Sequence, residues 1–464
     1  MTTQVPSPFE AKAYFTMSHA AIPKAPGSLP VVGHSAALIH HPLRFLASIA
    51  NAGDLLRVDL GPFKTIAVCD PEIARYVFRN DRVFDKGGPM FDLIKEVTGH
   101  RSMVVMDYTE HRTRRRMVQP MFHPSRFPSY AEVILNQVDT VMDSWVDGEW
   151  IDLYEQMKLI TARVGLLTMF SYLQPEWVLS RTLRDSITVM DGVFRRIITP
   201  SVLNKLPTPG NLRYNRANAR LRVVVDRIID EYRRHNVNQG DMLSVLLSAA
   251  SDEPSGVSGE ITNTDVHDEV TVFFLAAMDT TAASLAWTLT EMMRRPDVYQ
   301  RVREELATEL GGRRVTMGDL PRLKYTAQVA AESLRLHPPV WLLTRNVTED
   351  TELAGRAIRA GSAILISPYI LHQRERVFTD AGEFDPDRWA EPRLTKQTRE
   401  SLVPFGSGPR KCIGETFGMI EMSLALARIV PTWELRPREG AKVRSSASFV
   451  LSPSKSMAHL KRIG

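Results

Sequence analysis

Cysteine is scarce in this chain: Cys69 and Cys412 are the only two among 464 residues. Two cysteines make no disulfide framework, and the count suits a reducing compartment or an obligate ligand role. Neither CxxC nor HExxH occurs, which removes the common zinc patterns. No long lysine or arginine tract occurs either. The net charge is +5 and the densest basic run, HRTRRR at 111–116, is short, so nucleic acid is not an expected partner. The N-terminal stretch holds no apolar run long enough for a signal peptide or a membrane span. Prolines 23, 26 and 30 mark an extended lead-in, and residues 1–22 are expected to be a flexible tail on a cytoplasmic protein. There is no internal repeat.

What is present is an ordinary globular composition, 44% hydrophobic and 24% charged, with mostly helical patterning. PEIARYVFRN (71–80) opens with a proline suited to a first helical turn. Residues 217–235, 263–296 and 321–339 carry helical spacing. The 263–296 run is apolar in its middle and polar at its ends, so it is expected to pass through the core. Strand-like runs are fewer. LLRVDLGPFKTIAVCD (55–70) reads as a hairpin turning at Gly61-Pro62, and 357–372 as two extended pieces divided by Gly361. SDEPSGVSGE (251–260) reads as a polar loop. The expected fold is mainly α with a small β portion.

The two cysteines differ in setting. Cys69, in TIAVCDP, has the surroundings of an inert buried thiol. Cys412 lies in VPFGSGPRKCIGETFG (403–418). Glycines 406, 408 and 414 let the backbone turn sharply and approach something flat and large. Arg410 and Lys411 favour a thiolate. So does the start of the helix-like run that follows. The setting points to a thiolate used as a nucleophile or as a metal ligand.

Phe405-x-x-Gly408-x-Arg410-x-Cys412-x-Gly414 resembles the haem-binding loop of the cytochrome P450 family. Other motifs follow in the family's order. ESLR places Glu332 and Arg335 on one helical face, and the resemblance implies that they form a buried structural network with Arg388 of FDPDRW. In AAMDTT (276–281), Asp279 and Thr280 are an acid–alcohol pair midway along an apolar helix, expensive there without a task. Thr280 can bond back to the carbonyl of Ala276. The resemblance implies an oxygen-binding groove here, with the pair managing proton delivery, although Ala277 stands where the family often has glycine. His111 and Arg115, four apart on one helix face, are implied to hold a haem propionate together with Arg345 and Arg410. Arg112, Arg114 and Arg116 are expected to face solvent.

The resemblance runs from GSLPVVGH (27–34) to the helix after Cys412. It implies one catalytic domain over 23–464, with haem b between the long central helix and the helix of the cysteine loop, and Cys412 as axial ligand. It implies a monooxygenase that places one oxygen atom of O2 into a C–H bond of a lipophilic molecule. No flavin or nicotinamide segment is apparent, so electrons are expected from a ferredoxin and its reductase, delivered to a monomer. The pocket positions implied are Phe91, Phe194, Phe274, Ala277, Val340 and Leu342, mostly apolar. The motif style is similar to that of soluble bacterial terpene (sesquiterpene) hydroxylases. Fatty acids, steroids and macrolides stay open as substrates. A haem sensor, a peroxide-using haem-thiolate enzyme and a haem-free cysteine nucleophile stay open as classes.

Overall fold

The computed structural model of the chain describes residues 22–61, 63–170, 176–199, 201–234, 240–251, 262–440 and 442–463. The expected tail and the 251–260 loop fall outside these residues, apart from residues 22 and 251.

The long apolar pattern is a single helix, Asn263–Arg294, here the central helix. Thr262 and Asp265 cap its start reciprocally, each side chain accepting from the other's backbone N–H. It ends where Pro296 opens the next helix. By length and composition it is apolar enough to cross a membrane, yet 83% of its most apolar window is buried inside the fold, as expected of a core helix. Alongside runs the helix Leu153–Met169, whose Thr161 hydroxyl donates to the Met278 carbonyl at 2.7 Å.

The small β portion includes a five-stranded sheet in the order 55–60, 63–68, 363–366, 343–347, 84–85. Its first two strands are the expected hairpin, with Leu60 opposite Phe63. The 63–68 and 363–366 strands are parallel, whereas the others pair antiparallel. Only part of the 357–372 expectation holds. Residues 356–358 and 363–366 are strands, but Pro368–His372 is a short helix capped by Ser367. Opposite Asp85 in the last strand pair stands Asn346, so Arg345 and the Asp85-Lys86 pair come to one edge.

The expected Glu332–Arg335–Arg388 cluster exists and is buried. Arg335 forks onto Glu332 at 2.9 and 2.8 Å and donates to the carbonyls of His372, Ala381 and Glu383. Glu332 also accepts from Trp389 Nε1, from Asp385 N–H and, at 3.5 Å, from Arg388. Taking both charges out of water costs several kcal/mol each unless every lone pair and proton is matched, and here the matching is dense. His372, which sequence patterning did not flag, extends the network. Its Nε2 accepts from Val403 N–H, so it is unprotonated, and its Nδ1 donates to the Arg335 carbonyl. Burial, with Arg335 adding to it, pushes its pKa down to about 3, which keeps the ring neutral in this role. The network therefore ends at the first residue of the cysteine loop. Replacing Arg335 by leucine strands Glu332 and should cost about 3–5 kcal/mol. A thermal unfolding scan that shows no loss of stability would sink this account.

Candidate active site

The cysteine loop is shaped by its own backbone and by two neighbours. Cys412 N–H donates to the Phe405 carbonyl at 2.9 Å, and Lys411 N–H to that of Gly408 at 3.0 Å. Gly408 has φ +70, and a Cβ there would lie 2.3 Å from the Phe78 carbonyl oxygen. This glycine is thus required by the approach of the loop to the end of the helix Pro71–Arg79, a reason different from the flat partner expected above. Arg115 Nη1 donates to the Lys411 carbonyl at 2.8 Å. Lys411 itself pairs with Glu415.

Cys412 is exposed at its surface yet sits deep enough that burial pushes its thiol up. The Gly414 N–H, Arg115 and Lys411 oppose this, and Glu415 reinforces it. The expected thiolate is therefore not a product of the loop alone. A bound metal ion deprotonates a coordinating thiol outright.

From Asp265 to Met293, every residue of the central helix is buried except Ala276, Ala277 and Thr280. These three form one patch on one helical face. Thr280 Oγ1 donates to the Ala276 carbonyl at 2.7 Å, the expected back-bond. The helix after Cys412, Glu415–Thr432, crosses beside this patch. A Cβ on Gly418 would lie 3.9 Å from Thr281 Oγ1. Glu421 shares a hydrogen bond with Thr281, and burial holds its carboxyl well above the usual range. Asp279 is buried and accepts a hydrogen bond from Tyr154 at 2.6 Å.

Beside the loop, cationic and imidazole groups outnumber acids. Lys86 donates to the Val104 carbonyl at 2.7 Å. Its own burial, with Arg345 and Arg410 adding to it, pushes it well below the ordinary lysine value. Arg345 is buried, bonds the Thr344 carbonyl, and is pushed down to about 10 by burial and then by Arg410. His111 is buried with Nδ1 unpartnered, and burial and then Arg410 hold it down to about 3. Asp81 and Asp85 are taken by Arg410, which also donates to the Met106 carbonyl.

The sequence profile of the Cytochrome P450 family matches residues 23–460. The chain is 41% identical over 417 residues to cyclooctat-9-en-7-ol 5-monooxygenase of Streptomyces melanosporofaciens, covering 90% of each. It is 36% identical over 423 residues to pentalenene oxygenase of Streptomyces avermitilis, covering 91% of this chain and 93% of that one. The crystal structure of the cytochrome P450DA heme domain superposes with a TM-score of 0.84 at 22% identity, covering 96% of this chain and 98% of that one. The chain belongs to the cytochrome P450 family. It is a haem-thiolate monooxygenase with the P450 fold, and its cofactor is haem b with a cysteine thiolate ligand.

This P450 has residues that fit such a cofactor. Lys86, Arg345 and the open Nδ1 of His111 are buried polar groups short of acidic partners, and a dicarboxylate ligand supplies what they lack. Three arginines of this region have partners that the sequence did not indicate. Arg410 donates to Asp81, Asp85 and the Met106 carbonyl and so also braces the loop against residues 81–106. Arg115 holds the loop backbone at Lys411. Arg114, expected in solvent, is buried and pairs with Asp265 and Glu269 of the central helix, because residues 111 and 114 share an inward face of the helix Tyr108–Val118. Arg112 and Arg116 are exposed as expected.

Lys86 and Glu421 were missed. Neither stands in a spacing that marks it, and each acquires meaning through contacts distant in sequence. Of the pocket positions, Ala277 lies on the open patch. Phe91 is buried 5.8 Å from Lys86 Nζ, measured to its ring centre. Val340 is half-buried, and Leu342 packs against the apolar cluster around Trp341. Phe274 is a correction: its ring is in the core beside Gly165, on the far side of the helix from Ala276. Phe273 instead shares the face of Ala277 and Thr280, at i+4 and i+7. The side chain of Phe194 lies outside the described set.

Replacing Lys86 by alanine should speed haem loss to an acceptor globin roughly ten-fold, since a hydrogen bond to a charged group contributes about 1.5–3 kcal/mol. Arg345→Ala should do the same. An unchanged transfer rate in both variants would remove these residues from the cofactor site.

Proposed function

We propose that this P450 hydroxylates a terpenoid, with Cys412 as the thiolate that would hold the haem iron and residues 23–464 acting as one catalytic domain in the cytoplasm. The observation that carries the substrate class is the near full-length likeness to enzymes named for cyclooctat-9-en-7-ol and pentalenene, which are terpene-related. The open patch agrees with it. Ala276, Ala277 and Thr280 offer a C–H-rich substrate methyl groups and a single hydroxyl, so selection rests on shape.

When bound, haem supplies the reductive activation of O2 and the insertion of one oxygen atom into a C–H bond, the other leaving as water. The chain's residues do the rest. Lys86, Arg345 and His111 would hold the cofactor's carboxylates. Phe405, Gly408 and Gly414 shape the loop that presents Cys412. Asp279 and Thr280 manage the delivery of the protons the reaction consumes. An alcohol on the open patch with a buried acid beside it favours this reading over a sensor, which has no use for proton supply.

Carbon monoxide added to the reduced protein should give a thiolate-type Soret band that Cys412→Ser abolishes. Cyclic terpene hydrocarbons and alcohols should shift the ferric Soret band of the parent protein. Shifts confined to fatty acids or macrolides would overturn the substrate class while leaving the fold and cofactor untouched.

A P450 of this kind draws electrons from a redox partner. We propose that the partner is an acidic ferredoxin, served by its reductase and docking on a monomer. Beside the cysteine loop lies a groove of about 330 Å³ bordered by Arg75, Arg79, Arg399 and Lys411, with Glu400 and Glu415 paired to Arg75 and Lys411 among them. The bond from Arg115 to Lys411 brings exposed Arg112 and Arg116 to the same side. Reversing both charges should slow reduction by an acidic ferredoxin at least ten-fold at low salt and flatten its salt dependence, since steering of this kind is worth 10–1,000-fold. An unchanged salt slope would dismiss the docking face.

A further inference from the structure

We infer that Tyr154 is a positioning residue for Asp279, acting through its phenol from the start of the helix Leu153–Met169. The inference rests on the reading of Asp279 as the acid of the acid–alcohol pair. Nothing in the sequence pairs these residues, which stand 125 positions apart, yet Tyr154 Oη donates to Asp279 Oδ1 at 2.6 Å.

Both ends of this hydrogen bond are fixed. Tyr154 sits in the first helical turn, where the Asp152 side chain accepts from its backbone N–H at 3.0 Å. The Lys158 ammonium lies 4.6 Å from the centre of its ring, and Lys158 pairs with Glu155 at 2.5 Å. On the other side, Thr161 of the same helix donates to the Met278 carbonyl at 2.7 Å, pinning the peptide just before Asp279. One helix therefore grips the backbone and the carboxyl of the acid together.

This grip decides where the acid points. Successive side chains on a helix diverge by about 100°. Thr280 is half-buried on the open patch, while Asp279 is buried and bonded toward Tyr154. The carboxyl is thereby held off the patch, one residue from the alcohol it serves. A hydrogen bond donated to a carboxylate favours its ionised form, so the phenol also sets the pH at which the acid takes up a proton.

The test compares Tyr154→Phe, Asp279→Asn and the double variant as holoenzymes. In Tyr154→Phe, product formed per electron pair should fall several-fold and hydrogen peroxide release should rise. The acid limb of the pH profile should move to higher pH. In the Asp279→Asn background, Tyr154→Phe should add nothing. Independently of turnover, the carboxyl infrared band assigned by Asp279→Asn should shift in Tyr154→Phe. If Tyr154→Phe does not fold, 3-fluorotyrosine at 154 strengthens the donor and should move the acid limb to lower pH.

Coupling unchanged by Asp279→Asn would defeat the reading of Asp279 itself. A strong Asp279→Asn effect, with a silent or fully additive Tyr154→Phe and an unmoved infrared band, would overturn the role of Tyr154 alone.

Discussion

The Glu332–Arg335 pair is the contact on which the geometry of the active site hangs. It lies far from any solvent that could compensate its charges, so it persists only because surrounding carbonyls, N–H groups and the Trp389 indole complete it. Such a pair contributes less through its Coulomb attraction than by penalising every arrangement that leaves a partner unmatched. The Arg335 carbonyl fixes His372, and His372 fixes the Val403 N–H. The cysteine loop is thereby positioned from a network that touches no reacting atom.

A second constraint is charge of one sign. Lys86, Arg345, His111 and Arg115 converge beside the loop while Arg410 binds the nearby acids Asp81 and Asp85. With burial leading, the mutual repulsion of these groups helps lower the pKa of Lys86, His111 and Arg345. Stable folding of such a cluster is most favourable when an anion joins it, so cofactor binding and the stability of this region are coupled. Cys412 differs: burial raises its thiol against the opposing pull of Arg115 and Lys411, and coordination to a metal ion would favour the thiolate.

What was legible in the sequence followed from local spacing. The i,i+3 pair of Glu332 and Arg335 and the back-bond from Thr280 to Ala276 need only neighbours along the chain, and both were found as expected; the ten-residue cysteine pattern likewise pointed to the family that the chain belongs to. Contacts that depend on how helices cross were not legible. Arg114 looked like one more solvated arginine, and its burial against Asp265 and Glu269 is set by where the central helix passes. That Phe274 lies in the core beside Gly165 was not legible either, because a helix that is apolar nearly all round gives no signal of which face opens. Lys86, Glu421, His372 and Tyr154 belong to the same class: ordinary residues in the string, made particular by partners brought from elsewhere in the chain.

The central helix shows that position, more than residue type, singles out Thr280. Thr280, Ser284, Thr288 and Thr290 all donate to the carbonyl four residues back, at 2.6–2.9 Å. This is the expected refuge for a hydroxyl in a buried helix, since it satisfies the O–H without requiring another element. At Ser284, Thr288 and Thr290 the arrangement merely pacifies a polar atom in the core. At Thr280 the same bond commits the proton to the backbone and leaves the oxygen as an acceptor on the one patch where the helix is open. Ala276 and Ala277 keep that patch shallow, and a bulkier pair would close it. The helix can therefore be apolar enough for a core and still present one hydroxyl to an opening, because between Asp265 and Met293 that opening is confined to a single turn.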